Sequence, residues 1–321
     1  MSTNTGTFEV IVAKIEQVTP LINVFTLVDP AGKPLPGFSG GSHVVVLIPG
    51  EKLIHRNPYS LMGSPFDTSS YQIGVRKQAA GRGGSLALHE RVTEGMRLRI
   101  THPVNNFPVN KLGLRHVFIA GGVGITPVIS QALDLAVGNV PFEIHYGVSN
   151  PEHARMKKFI TDSPLGSARL YHDSLGEALD FDAILGAQPL GSHLYICGPQ
   201  AMIDAAVAAA RRLGWSQSHV HWEEFTEQQT GEPFDVFLSR SGVSVNVPPE
   251  LSLLEAIENE GVDIPYLCRG GACGQCETSV LALEGELLHR DVWLSDEDKK
   301  LNRKIMPCVS RANCKTLVLD L

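Results

Sequence analysis

Four cysteines near the C-terminal end constrain this chain more than any other feature. Cys268-Arg-Gly-Gly-Ala-Cys273-Gly-Gln-Cys276 is followed by Cys308 at an interval of 32 residues. This is the C-x4-C-x2-C…C spacing that binds plant-type [2Fe-2S] clusters, in which four thiolates hold two irons. Gly270, Gly271, Ala272 and Gly274 let backbone N–H groups approach the sulfurs without side-chain collision. Structural zinc sites pair C-x2-C units, and no second such unit follows. A Rieske centre would need a pair of His ligands that this stretch lacks. Cys314, between Asn313 and Lys315, reads as a surface thiol in a turn.

The rest of the composition agrees with an intracellular redox protein. Six Cys in 321 residues are too few for a disulfide scaffold, and five of them fall in the last 54 positions. A content of 43% hydrophobic and 19% charged residues can bury sizeable cores, and the length suits two or three domains. No apolar run reaches the roughly 20 residues needed to span a bilayer, so no membrane association is expected. The start, MSTNTGTFEV, lacks a basic-then-apolar leader pattern, which points to the cytoplasm. A net charge of −7 without a basic cluster argues against nucleic acid. The charge is uneven: residues 229–321 carry 15 Asp/Glu against 9 Lys/Arg, residues 1–228 carry 19 against 18. An acidic surface beside an electron-donating site is suited to steering a basic partner.

Three kinds of pattern follow one another. From Phe8 to Ile100, short alternating segments (FEVIVAKIEQV, NVFTLVD, SHVVVLI, YQIGVR, RLRIT) predict an antiparallel β-barrel. After Pro108, apolar strands alternate with helical segments, which predicts a doubly wound α/β sheet. FTEQQTGEPF reads as a linker. A hairpin turning at Ser241-Gly242 and a helix opened by the capping box Ser252-Leu253-Leu254-Glu255 then precede the cysteine loop. The expected domains are a barrel over 1–107, an α/β domain over 108–228 and an α+β ferredoxin-like domain over 229–321.

Two turns in the middle region have the chemistry of a nucleotide site. Gly121-Gly122-Val123-Gly124-Ile125-Thr126-Pro127 follows a strand and opens a helix, aiming N–H groups at a diphosphate. Pro127 stands where a dinucleotide fingerprint has its third glycine, so this is a different loop. A second strand ends in Cys197-Gly198-Pro199, a close-approach turn expected at the same carboxyl edge of the sheet. In the barrel, Tyr59-Ser60-Leu61 offers a ring for a flavin, and Gly81-Arg82-Gly83-Gly84-Ser85 offers N–H groups and a hydroxyl for a phosphate.

In this order and spacing, these motifs and the terminal cysteines resemble the phthalate dioxygenase reductase family. Vanillate demethylase and carnitine monooxygenase reductases are similar. The resemblance covers nearly the whole chain. It implies an FMN-binding barrel, a central NAD(H) domain and a C-terminal ferredoxin domain that together serve a Rieske-type oxygenase. Carried over by position, flavin contacts fall on Tyr59, Ser60, Gly74, Val75, Arg76, Arg82, Gly83, Gly84, Ser85, Thr126 and Phe225. Nicotinamide contacts fall on Gly121, Gly122, Gly124, Thr126, Pro127, Cys197, Gly198 and Pro199. Ser60, Thr126, Cys197 and Phe225 are expected to border the reacting rings, and Cys268, Cys273, Cys276 and Cys308 to hold the cluster. Where the family commonly shows Arg-x-Tyr-Ser, this chain has Arg56-Asn57-Pro58-Tyr59-Ser60. Either Arg56 or Asn57 then reaches the flavin phosphate, and neutralisation shifts towards Arg82.

The implied route runs from NADH to flavin to cluster to partner, because nicotinamide delivers electron pairs and the cluster accepts single electrons. FMN is expected rather than FAD, since no adenosine platform accompanies the phosphate loop. NADH is expected over NADPH: Arg155 is the one cation of the stretch Ser149–Arg155, and Asp173, after the next strand, is placed to bond ribose hydroxyls. Two other readings are a stand-alone NAD(P)H flavin reductase or diaphorase, and a [2Fe-2S] redox sensor or carrier. His219 and His221, at alternating positions of a strand, are left structural.

Overall fold

The computed structural model describes residues 6–51, 53–79, 81–161, 168–225 and 231–321. Residues 226–230 of the expected linker, and with them the expected boundary at 228, lie outside the described residues. The chain divides into two compact units: Met1–Gln78 with Gly84–Phe225, and Ala79–Gly83 with Thr226–Leu321.

The first unit opens with six antiparallel strands, β1 (Thr7–Gln17), β2 (Ile22–Val28), β3 (His43–Pro49), β4 (Ile54–Ser60), β5 (Tyr71–Arg76) and β6 (Arg97–Thr101), and helix α1 (Gly84–Arg91). Their order is β4-β3-β6-β1-β2-β5. Alternating residues such as Val10, Val12, Phe25, Leu27, Val44 and Val46 fill the interior. The two edge strands meet through the Leu61–Ile73 bridge and a bond from Met62 N–H to Gln72 O (2.9 Å), which nearly closes the barrel. Pro58, which has no N–H to donate, sits on edge strand β4, where a strand proline is tolerated.

The same unit continues through β7 (Arg115–Gly121), α2 (Ile125–Val137), β8 (Phe142–Val148), α3 (Lys158–Thr161), β9 (Arg169–His172), α4 (Phe181–Gly186), β10 (Ser192–Cys197), α5 (Gln200–Arg212) and β11 (Val220–Glu223). These strands are parallel in the order β11-β10-β7-β8-β9, and β10 and β7 are buried along their length as the central pair of a two-faced sheet. Helix α2 seats on the barrel turn at Gly40-Gly41. Gly40 N–H donates to Asp134 Oδ2 (3.1 Å) and Gly41 N–H to Ser130 Oγ (3.1 Å). A Cβ at Gly40 would lie 2.7 Å from the Gln131 Cα, so only glycine admits this approach.

The second unit holds β12 (Phe234–Leu238), β13 (Val243–Val247), α6 (Leu253–Asn259), β14 (Thr278–Leu288), α7 (Asp296–Leu301), β15 (Lys304–Ile305) and β16 (Arg311–Leu319). The mixed sheet runs β13-β12-β16-β14-β15, and the buried face of α6 (Leu253, Leu254, Ile257) shares its core with Val236, Leu238 and Leu317. Both halves of the expected capping box are present at Ser252 and Glu255. Glu255 Oε2 accepts from Ser252 N (2.9 Å) and Oγ (2.8 Å), and it also receives the Arg82 guanidinium. Among the described residues, no helix is long and apolar enough to cross a membrane.

Candidate functional site

The cysteine loop follows α6 and is shaped by left-handed backbone at Arg269 (φ 50°), Gly271 (φ 75°) and Gly274 (φ 73°). Arg269 tolerates this because its buried guanidinium is ion-paired with Glu258 and lies 3.8 Å from the Tyr266 ring centroid. At Gly274 a Cβ would stand 2.2 Å from the Trp293 indole, so the tryptophan and the loop fit only through glycine. Cys268, Cys276 and Cys308 are buried and Cys273 is half-buried. The thiols stand as two hydrogen-bonded pairs rather than as a set converged on one point. Cys268 is bonded to Cys273, and the Cys276 and Cys308 sulfurs are 3.3 Å apart. The Cys273 bond and the N–H groups of residues 270, 272 and 273 hold the Cys268 thiol down at about 5. The bond from Cys308 lowers Cys276 in the same way. Two pairs of thiols, each with one member inclined to ionise, suit the two irons of a [2Fe-2S] centre. Cys314 departs from its expected place in a turn: it lies half-buried in β16 opposite Gly285, and burial raises its thiol.

In the first unit the two expected nucleotide turns meet backbone to backbone. Cys197 pairs with Ala120 in the parallel register, so both turns leave the same carboxyl edge. A Cβ at Gly124 would lie 2.2 Å from Cys197 O, and one at Gly198 would lie 2.9 Å from Gly121 N. Gly121 and Gly198 also border Met202, which the motifs did not point to. Thr126 is buried in the first turn of α2 with Pro127, its hydroxyl donating to Val123 O (2.9 Å). Burial, aided by Glu223, pushes the Cys197 thiol well above its ordinary range, so it stays neutral. Gly122 takes φ 54°, and Pro199 precedes α5 directly.

The expected flavin residues gather around the seam between β4 and β5. Tyr59 and Ser60 lie at the end of β4, and Gly74, Val75 and Arg76 at the end of β5. A Cβ on Gly74 would come within 2.8 Å of Thr126 Cγ2 and 2.9 Å of Met62 Sδ, so the strand expected to border the flavin lies against the turn expected to hold the nicotinamide. The Tyr59 hydroxyl and the Asn57 side chain are buried against each other, and Asn57 Oδ1 stands 2.4 Å from where a Gly84 Cβ would be. Gln78 N–H donates to Ser85 Oγ (3.2 Å) and ties the end of β5 to the start of α1. An aromatic ring, an amide and two hydroxyls beside glycines at the ends of β4 and β5 are the residue types that could hold a flavin.

Arg82 is engaged within the second unit: its Nε donates to Glu250 O (2.6 Å) and its Nη2 pairs with Glu255. Gly83 belongs to the same short segment and has φ 85°. Arg56 reaches back to Ile54 O (3.5 Å), while Arg76 is exposed with no ion pair among the described residues. Phe225 is 39% exposed just beyond β11. Asp173 is exposed after β9, and Ser174 N–H bonds Ser149 O (3.0 Å), joining the turns that follow β8 and β9. Arg155 instead lines a cleft of about 390 Å³ with Glu16, Gln17, Val18, Lys157 and Lys158.

Comparison with known proteins adds the last evidence. Residues 236–313 match the model of the 2Fe-2S iron-sulfur cluster binding domain. Residues 101–220 match that of the N-terminal domain of dimethylamine monooxygenase subunit DmmA-like proteins. The chain is 42% identical to the carnitine monooxygenase reductase subunit of Acinetobacter baumannii, with 100% of both chains covered. It is 40% identical to the heme-dependent oxidative N-demethylase beta subunit of Ectopseudomonas mendocina over 98% of each chain. Among solved structures, it superposes on phthalate dioxygenase reductase, described as a modular structure for electron transfer from pyridine nucleotides to [2Fe-2S]. That match has a TM-score of 0.87 and 34% identity over 98% of both chains. Matched from end to end in sequence and in fold, this oxidoreductase belongs to the phthalate dioxygenase reductase family of oxygenase reductase components.

Proposed function

We propose that the chain oxidises NADH and delivers single electrons to the oxygenase component of a multicomponent Rieske-type oxygenase, with FMN and a [2Fe-2S] cluster as its resident cofactors. The observation that supports this is the close approach of Gly74 to Thr126, because it brings the strand expected to border the flavin and the turn expected to hold the nicotinamide together inside one compact unit. When bound, FMN converts the electron pair of a hydride into single electrons, and the cluster relays them.

The residues of the chain serve this chemistry by positioning. Gly121, Gly122 and Gly124 hold the diphosphate by backbone N–H groups, and Gly198 leaves room for the nicotinamide ring beside Thr126. The neutral Cys197 thiol keeps a nucleophilic thiolate away from the electrophilic ring of the oxidised nucleotide. Tyr59, Ser60, Val75 and Phe225 border the isoalloxazine, while Asn57, Gly84 and Ser85 hold the phosphate. With Arg82 committed to Glu255, phosphate neutralisation passes to Arg76, two residues before the Gln78–Ser85 link. Three modules, over residues 1–107, 108–228 and 229–321, divide the labour, and the protein works in the cytoplasm.

Analysis of the purified protein tests this directly. It should carry about two irons, about two acid-labile sulfides and one FMN per chain. FAD in the denatured supernatant would replace the flavin assignment, and zinc in place of iron would remove the electron route. A second reading, in which the acceptor is a heme enzyme, is favoured by the match to the heme-dependent N-demethylase subunit. NADH-dependent turnover reconstituted with a Rieske oxygenase or with a heme-dependent demethylase separates the two.

A further inference from the structure

Three large apolar side chains border the cysteine loop from outside. Leu267, Val292 and Trp293 are 42%, 62% and 51% exposed. Leu267 precedes the first ligand cysteine, Val292 N–H bonds Gly271 O (3.1 Å), and the Trp293 indole covers Gly274. The face is held in place before any partner arrives. Trp293 Nε1 donates to Glu277 Oε2 (3.3 Å), and Asp291 Oδ2 accepts from Leu294 N–H (2.8 Å). Beside it, Asp296 and Glu297 open α7, both exposed and neither ion-paired among the described residues.

We propose that this face is the docking surface for the electron-accepting protein, whose matching patch has an apolar centre and a rim of Lys and Arg. The proposal rests on the reading that electrons leave through the cysteine loop. A rigid exposed tryptophan costs little side-chain entropy to bury, and such residues are the usual anchors of interface binding energy. The acidic flank, in a segment with six more acidic than basic residues, selects a basic partner and speeds its encounter. A second copy of this chain would bring the same negative flank and be repelled. An acceptor seated here touches the loop backbone itself, which gives transfer a short path.

The test uses NADH-driven reduction of cytochrome c, a basic protein, by the holoprotein, with ferricyanide as a small acceptor that needs no docking face. Val292→Arg should lower kcat/KM for cytochrome c by roughly tenfold, mainly through KM, while ferricyanide rates and the visible spectrum of the cluster stay as in the parent. Asp296→Lys with Glu297→Lys should weaken the fall of the cytochrome c rate with added salt. Trp293→Ala should reproduce the Val292→Arg loss, and Trp293→Phe should restore most of it. Parent-like cytochrome c kinetics in all of these variants, with Cys308→Ser still abolishing the reaction, would overturn the docking face and leave the exit route standing. Cytochrome c reduction that survives Cys308→Ser would overturn both.

Discussion

The two ends of the electron route are built from different materials. At the cysteine loop the ligand atoms are side-chain sulfurs within one short segment and the turn between β15 and β16. At the nicotinamide turns the walls are backbone, and the side chains matter mainly by being absent: a single methyl at Gly124 would overlap Cys197 O. A side-chain site announces itself by residue type and spacing. A backbone site announces itself only when several weak signals agree on one edge of a sheet.

Variants at the two ends should therefore fail in opposite ways. The largest effect is expected for Cys308→Ser, which removes one of the four ligands two irons need. Reduction of a protein acceptor should be abolished while NADH-driven ferricyanide reduction persists. Equal loss of both activities in a folded variant that retains FMN would break the distinction between the ends. Gly124→Ala should show the converse. The forced shift of the turn should cost about 1–3 kcal/mol of stability and about 100-fold in NADH oxidation, with iron content unchanged. A parent-like NADH rate would mean that the turn does not hold the nucleotide.

Nucleotide choice is a smaller effect. Arg155 lines the cleft beside Glu16, and Asp173 stands next to the turns joined by Ser174 and Ser149. NADH should be preferred over NADPH by at least about tenfold in kcat/KM, a discrimination of about 1.4 kcal/mol. Parity at one ionic strength would point to Arg155 as a phosphate ligand.

The amino edge of the nucleotide sheet offers the smallest effect. His193 Nδ1 lies 3.0 Å from His221 Nε2, with His116 and His219 stacked or tilted against the same ring. Burial and the neighbouring imidazoles lower His193 to about 4, and burial lowers His116 and His221. Their folded-state values lie below the ordinary His value near 6.5, so the unfolded chain binds more protons as pH falls. The contribution of His193 is fully present above about 6.5 and declines as pH falls towards 4, and His116 and His221 add to the loss in the same direction. Thermal midpoints at pH 7.5 and pH 5 should show this. His193→Gln should flatten the difference, and equal slopes in the two proteins would remove the cluster from the explanation.

Much of this could be read from the chain itself, and the failures have physical causes. Strands Tyr71–Arg76 and Arg97–Thr101 alternate cleanly and coincide with their expected segments. The helix opened by Ser252 is legible because its cap is local. Helix α1 was hidden, because the glycines of Gly81–Ser85 read as a surface loop although Gly84 starts a helix. Strand β4 was hidden by Pro58, which an edge strand admits. The partner of Arg82 lies 173 residues away, and nothing in the local pattern announces so distant an ion pair. Met62 and Met202, which fill space beside the key glycines, carry no motif at all.

One measurement bears on the whole account: anaerobic reductive titration of the purified protein, followed by the visible spectrum. A flavin takes two electrons and a [2Fe-2S] cluster takes one, so full reduction should consume about three electron equivalents per chain. Excess NADH alone should bleach both chromophores. An end point near two, or a cluster that dithionite reduces and NADH does not, would contradict a route that enters at the glycine turns and leaves through the cysteine loop.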